Sequence, residues 1–328
     1  MYRNRSWLIT VLLLVSFHPA EAQPTKVARI GFVSARAKPT VVAPDTTAES
    51  FRQGLRSLGY IEGKNIVIDY RYFAGEVDRI PSLVAELLRA KLDVLVSVNT
   101  LAIQAFKQAT RTTPIVIAIN DNPVTTGIVD SLAHPGGNVT GITRFTRDLS
   151  GKRLELLKET APKILRVGIL DDASTDIRAS FQDFEPAARA LKLQLHSLEV
   201  HGPNPDFARA FQAAAKEHVN ALITVRTALL IRYGKQIAEL VIKHRLPSVW
   251  EGSDFVEAGG LMSYSASDAE VFRRAAYFVD MILKGKPPAE IPIEQPTKFE
   301  LVINLKTAKQ IGLTIPPNVL ARADKVLK

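Results

Sequence analysis

What most constrains this chain is the order of its apolar runs. Residues 27–33 are β-branched and apolar, and over 48–58 Phe51, Leu55 and Leu58 recur on one face at helical spacing until Gly59 ends the pattern. Residues 65–73 alternate Ile66, Ile68, Tyr70 and Tyr72 with polar neighbours, and 80–88 repeat Leu83, Val84, Leu87 and Leu88 near a period of 3.6. A third apolar run at 93–98, a helix at 101–109 and a run at 114–119 opened by Pro114 continue the series. Short apolar strands separated by amphipathic helices predict βαβ units around a parallel sheet covered on both faces.

The turn formers Ala133-His134-Pro135-Gly136-Gly137-Asn138 interrupt the series, and a crossover is expected near 140–148, followed by a helix at 150–160. A second series then runs through strands at 167–170, 193–200, 221–225, 247–250 and 260–264, with helices at 177–191, 206–218 and 228–245. Single cores stop growing at about 250–300 residues, so 328 residues in two such series predict two similar open α/β halves. A long amphipathic helix at 269–284 leads into Gly285, Pro287, Pro288, Pro292 and Pro296, an extended connector, and a strand at 299–305 and a short helix end the chain.

Residues 1–22 stand apart from this pattern. Arg3 and Arg5 precede an apolar run of 11 residues, from Trp7 to Phe17, and Ala20-Glu21-Ala22 is a small-x-small cleavage site. The run is far shorter than the roughly 20 residues a spanning helix needs, so it reads as a secretory signal peptide. No cysteine follows the cleavage site, which closes the lipid-anchor route and leaves a protein free in the periplasm. With no cysteine anywhere, thiolate catalysis, thiolate zinc sites and disulfides are excluded. Beyond residue 22 the net charge is +8, from 40 basic and 32 acidic residues, but the two signs are interspersed, so no nucleic-acid footprint is expected.

The chain lacks a G-x-S-x-G elbow, a G-x-G-x-x-G turn, a Walker loop and an H-E-x-x-H pair. Its five histidines beyond residue 22 never fall at i and i+4, so neither a metal nor another cofactor is expected. Open parallel sheets bind ligands beyond the carboxyl ends of their strands. The residues there are Ser34; Asn99 and Thr100; Asn120 and Asp121 with Asn122; Asp171 and Asp172; Arg226 and Thr227; and Glu251-Gly252-Ser253-Asp254 after Trp250. Thr100 at a helix start can hold a carboxylate or phosphate, and Asn99 or Thr100 is equally what a plain N-cap requires. Asn120 and Asp121 can bind an ammonium or hydroxyl, or form an Asx-turn before Pro123. Arg226 can pair bidentately with an anion or be a surface arginine with a buried stem. Trp250, Phe255 and Tyr264 offer a stacking face, or core.

The segments Gly54-Leu55-Arg56-Ser57-Leu58-Gly59-Tyr60-Ile61-Glu62-Gly63-Lys64-Asn65, Ser131-Leu132-Ala133-His134-Pro135-Gly136-Gly137-Asn138-Val139-Thr140-Gly141 and Leu149-Ser150-Gly151-Lys152-Arg153-Leu154-Glu155-Leu156-Leu157-Lys158-Glu159 resemble those of the ABC transporter substrate-binding protein family that includes tryptophan- and tyrosine-binding members. Residues 257–264 and 295–308 extend the resemblance over essentially the whole chain beyond residue 22. It implies two open doubly wound parallel-sheet lobes of the type I periplasmic-binding-protein architecture, joined by three crossovers and closing on a small solute, aromatic or other amino acids being the default. One lobe is then 23–143 plus about 266–290 and the other 144–265 plus about 291–328. It also implies a monomeric, non-enzymatic protein that serves an ABC permease with its ATPase. Where many relatives have Gly-Asp-Pro-Val this chain has Asn120-Asp121-Asn122-Pro123-Val124, and where many have Asn-Pro it has Asp171-Asp172-Ala173, so the pocket is expected to differ. The rival readings are a ligand sensor for a membrane receptor, and an exported acid/base enzyme in which Asp121 and Glu251 face each other.

Overall fold

The computed structural model describes residues 27–41, 44–119, 122–144, 149–173, 177–202 and 204–328; the expected signal peptide lies outside these residues. Among the described residues no helix is long and apolar enough to cross a membrane.

Two sheets form the molecule. The first has the order β2-β1-β3-β4-β5, all parallel, from β1 (Ala28–Ser34), β2 (Ile66–Tyr72), β3 (Val94–Ser97), β4 (Ile115–Ile119) and β5 (Val139–Thr143). The second comprises β6 (Arg166–Asp172), β7 (Gln194–Val200), β8 (Ala221–Thr224), β9 (Ser248–Trp250), β10 (Met262–Ala266), β11 (Phe299–Asn304) and β12 (Lys325–Leu327), in the order β12-β11-β10-β9-β8-β6-β7. Strands β7-β6-β8-β9-β10 repeat the arrangement of the first sheet. The antiparallel pairing of β10 with β11 departs from the otherwise parallel pattern, because the chain re-enters the second sheet from the first.

Helices cover each sheet on both faces. In the first sheet α1 (Thr46–Ser57) lies on one face, and α2 (Ile80–Arg89) and α3 (Thr100–Ala109) on the other. In the second, α4 (Ser150–Thr160), α5 (Ile177–Ala190), α11 (Leu305–Ile311) and α12 (Pro317–Leu320) share one face with α6 (Phe207–Lys216), α7 (Ala228–Arg232), α8 (Gly234–Lys243) and α9 (Ser253–Glu257) opposite. The remaining helix, α10 (Asp268–Leu283), follows a strand of the second sheet yet packs on the first. Phe32 of β1 lies 5.4 Å from Phe51 of α1 and 6.1 Å from Phe272 of α10. Reciprocally, α4 follows β5 of the first sheet and packs on the second, through Leu154, Leu156 and Leu157. Each sheet therefore borrows a helix that follows a strand of the other.

Close helix approach fixes these exchanges. At Gly54 a Cβ would sit 2.8 Å from both the Ala276 Cβ and the Arg273 carbonyl oxygen, so α1 and α10 meet at a distance only glycine allows. The equivalent α4–α5 contact is looser, with 3.4 Å between a Cβ at Gly151 and that of Ala187.

Three local expectations are corrected. The helix expected over 228–245 is two helices broken at Tyr233, because Gly234 packs beneath the Phe255 ring as the second begins. β6 extends through Asp171 and Asp172, which are buried strand residues instead of loop residues beyond it. The strand expected to reach Leu305 stops at Asn304, whose side chain caps α11. Helix α9 and strand β12 went unanticipated, since elements of five and three residues carry too little period to read.

Candidate functional site

The carboxyl ends of both sheets face a cluster of opposite charges. It begins at Arg153 of α4, which is fully buried. Arg153 donates from Nε to the Tyr264 carbonyl at 2.9 Å and from Nη1 to Glu251 Oε1 at 2.6 Å. Glu251 lies just past β9, and its Oε2 accepts the Arg226 backbone N–H at 3.0 Å. Arg226, just past β8, donates from Nη1 to Asp254 Oδ1 at 2.5 Å and from Nη2 to Asp254 Oδ2 at 3.0 Å. Nη2 also lies 3.4 Å from Asp268 Oδ2, and the guanidinium sits 5.7 Å from the Phe255 ring centroid. Gly252 makes this fit possible, since a Cβ there would collide with the Arg226 guanidinium.

The first half contributes Arg36, just past β1, whose Nη2 lies 3.0 Å from Asp254 Oδ2 and 3.8 Å from Asp268 Oδ2. Arg144, just past β5, donates to Asp268. Asp268 opens α10, where a carboxylate suits the positive end of the helix. Asp45 caps α1, accepting from the N–H groups of Thr47 and Ala48, and lies 4.0 Å from Arg36 Nε.

Burial alone raises the pKa of a carboxyl and lowers that of a guanidinium, so the shifts report what the pairing achieves. Burial pushes Asp254 up, but Arg226, Arg36 and Arg144 outweigh it and hold the carboxyl at about 2. For Arg226 the carboxylates of Asp254 and Asp268 likewise outweigh burial and raise its value. Burial dominates at Arg153 and at Arg144; the latter falls to about 10 despite Asp268. Burial and the Asp45 carboxylate raise the Tyr72 phenol at the end of β2. Asp254 is thus ionised and Arg144 and Arg226 are charged at neutral pH, so the cluster offers both guanidinium and carboxylate groups to a polar ligand.

The residues chosen from the sequence do not form one group. Arg226 and Glu251 lie in the network, and the anion that Arg226 grips bidentately is the internal Asp254. Ser34, Asn99 and Thr227 serve the local backbone. Ser34 Oγ accepts from Arg36 N at 3.2 Å, and Asn99 and Thr227 cap α3 and α7 through Ala102 N at 3.0 Å and Leu230 N at 3.2 Å. Thr100 is the first residue of α3. Trp250 and Phe255 are core: Trp250 is fully buried, stacks on Phe255 at 5.2 Å and donates its indole N–H to Ser248 at 2.9 Å. Tyr264 lies within β10, half-buried, its ring 6.2 Å from Phe299. Asn120 and Asp121 lie outside the described residues.

Sequence reasoning passed over Arg36, Arg144, Arg153 and Asp268, and noted Asp254 only as part of a polar run. Arg153 alone carried a usable signal. It falls three, four and seven residues before Leu156, Leu157 and Thr160, on the buried face of α4, where an arginine needs a partner.

The family model described as ABC transporter substrate binding protein matches residues 39–327. The chain is similar to a tyrosine-binding protein of Clostridioides difficile (strain R20291), 23% identical over 269 residues, which are 82% of this chain and 77% of that one. Among solved structures it is similar to the ABC domain of Streptococcus pneumonia in complex with L-Trp, with a TM-score of 0.81 and 25% identity, covering 92% of this chain and 99% of the other. It also matches the ligand-free, open form of a substrate-binding protein with adhesive properties from Clostridium difficile, with a TM-score of 0.67 and 23% identity over 92% of this chain and all of that one.

Proposed function

Because the chain belongs to the ABC transporter substrate-binding protein family, we propose that it captures an amino acid or related small solute, aromatic ones foremost, in the periplasm and delivers it to a membrane permease for import. The two similar α/β halves act as lobes, 23–143 with about 266–290 and 144–265 with about 291–328. They close by bending at the three crossovers between the lobes. Ligand contacts from both lobes favour the closed form by their difference in affinity for the two states, and no bond is made or broken. The observation that carries this reading is the charged cluster where the strand ends of both sheets converge: guanidiniums of Arg36, Arg144 and Arg226 for a carboxylate, carboxylates of Asp254 and Asp268 for an ammonium. The tryptophan- and tyrosine-binding relatives support an aromatic amino acid.

The test is a thermal-shift panel on protein stripped of carried ligand by unfolding and refolding, against amino acids, aromatic acids, sugars and nucleosides. A ligand at about 100 times its dissociation constant stabilises the fold by about 2.7 kcal/mol. A shift confined to aromatic amino acids, with the ligand recovered chemically unchanged and Arg226→Ala insensitive to it, supports the proposal. A flat amino-acid panel, or recovery of an altered molecule, overturns it.

A further inference from the structure

Two bonds in the cluster span the two halves, Arg226 to Asp268 at the start of α10 and Arg36 to Asp254. Arg153, Glu251 and Arg226 all belong to elements packed on the second sheet, and Arg144 and Asp268 flank two of the connections between sheets. Arg36 stands apart, since it lies in the turn just past β1, an interior strand of the first sheet, and its nearest carboxylate, 3.0 Å away, is Asp254 of α9 on the second. Asp254 is shared: Oδ1 and Oδ2 take Arg226 from its own half, while Oδ2 also takes Arg36 from the other. The pair is well enough sheltered to matter, with 24% of the Arg36 side chain and 15% of the Asp254 side chain exposed. A second contact closes the rim. The turn after β2, with Ala74 and Gly75 at positive φ, rests on α7, where a Cβ at Gly75 would lie 3.2 Å from the Ala228 carbonyl oxygen. Glu76 and Arg232 pair across the same rim at 3.7 Å, a surface bridge worth little by itself.

We propose that Asp254 is an internal latch: by accepting from Arg36 of one lobe and Arg226 of the other, it draws the protein closed with its own charges, and a ligand must compete with it for Arg36. The inference rests on lobe closure as the working motion of the protein, but its test needs no ligand, so scattering decides it even where the ligand panel is flat. Small-angle X-ray scattering is recorded on stripped protein in about 0.05 M and about 1 M salt, the latter shortening the screening length to about 3 Å. Wild-type protein in low salt is expected to match the scattering profile calculated from the present structure, whereas Asp254→Asn and Arg36→Gln show a larger radius of gyration. High salt is expected to move the wild type toward the variants and to leave the variants unchanged. Circular dichroism confirms that each variant is folded, and Arg36→Gln decides the matter alone if Asp254→Asn does not fold, because Arg36 is the more exposed partner. A wild type already as extended as Arg36→Gln, or an Arg36→Gln protein as compact as wild type, overturns the proposal.

Discussion

The carboxyl edges of the two sheets make an instructive contrast. At the first, apart from the ion-paired Arg36 and Arg144, Ser34 and Asn99 spend their hydrogen bonds on the adjacent backbone, Asn99 as the cap of α3. At the second, Arg226 and Glu251 are tied by side-chain bonds to groups 25 to 98 residues away in sequence. A cap can be lost without stranding a charge, whereas a buried ion pair stripped of one partner leaves the other uncompensated. The ion-paired positions, most of them at the second edge, are therefore expected to be far less tolerant of change than the caps.

Arg153→Met tests the intolerant edge most severely. It leaves Glu251 without its guanidinium in a sheltered site, with an expected loss of about 3 kcal/mol in urea unfolding; a loss below about 1 kcal/mol would erase the contrast. The two exchanged-helix contacts offer a second comparison. Gly54→Ala, which forces a Cβ into α10, is expected to cost about 2 kcal/mol, whereas Gly151→Ala fits its site and gains up to about 1 kcal/mol from helix propensity. Acid titration separates charge from shape. The Asp254 pKa is depressed to about 2, so its contribution of about 2 kcal/mol is present above the unfolded value near 4 and is lost as pH falls toward 2. The stability of Asp254→Asn should accordingly fall less steeply over that window. At the tolerant edge Asn99→Ala is expected to cost about 1 kcal/mol, the ordinary loss of a cap, read by the same unfolding curves.

The alternation of strands and helices was legible because period and turn residues are local properties, and the family resemblance added the type I architecture. β12 was not legible, since three residues become a strand only when Val302 to Asn304 lie beside them to pair. In the site, the strand-end rule found Arg226 and Glu251, but it also selected Trp250, whose place beneath Phe255 depends on packing no spacing reveals. Arg36, Arg144 and Asp268 escaped because two of them lie on connections between sheets and the third in a turn. Residues 124 and 218 positions apart meet there only once both sheets are built.

The reciprocal exchange of α4 and α10 also bears on the order in which the chain can acquire structure as it is made. When the ribosome has delivered β1 to β5, one face of that sheet still lacks Phe272, Ala275, Ala276 and Val279, which arrive more than 120 residues later. A nascent chain ending at residue 265 thus holds a sheet whose α1-bearing face is only partly covered. Contacts of such long sequence separation are slow to form, so folding of the amino-terminal half waits on translation of nearly the whole protein.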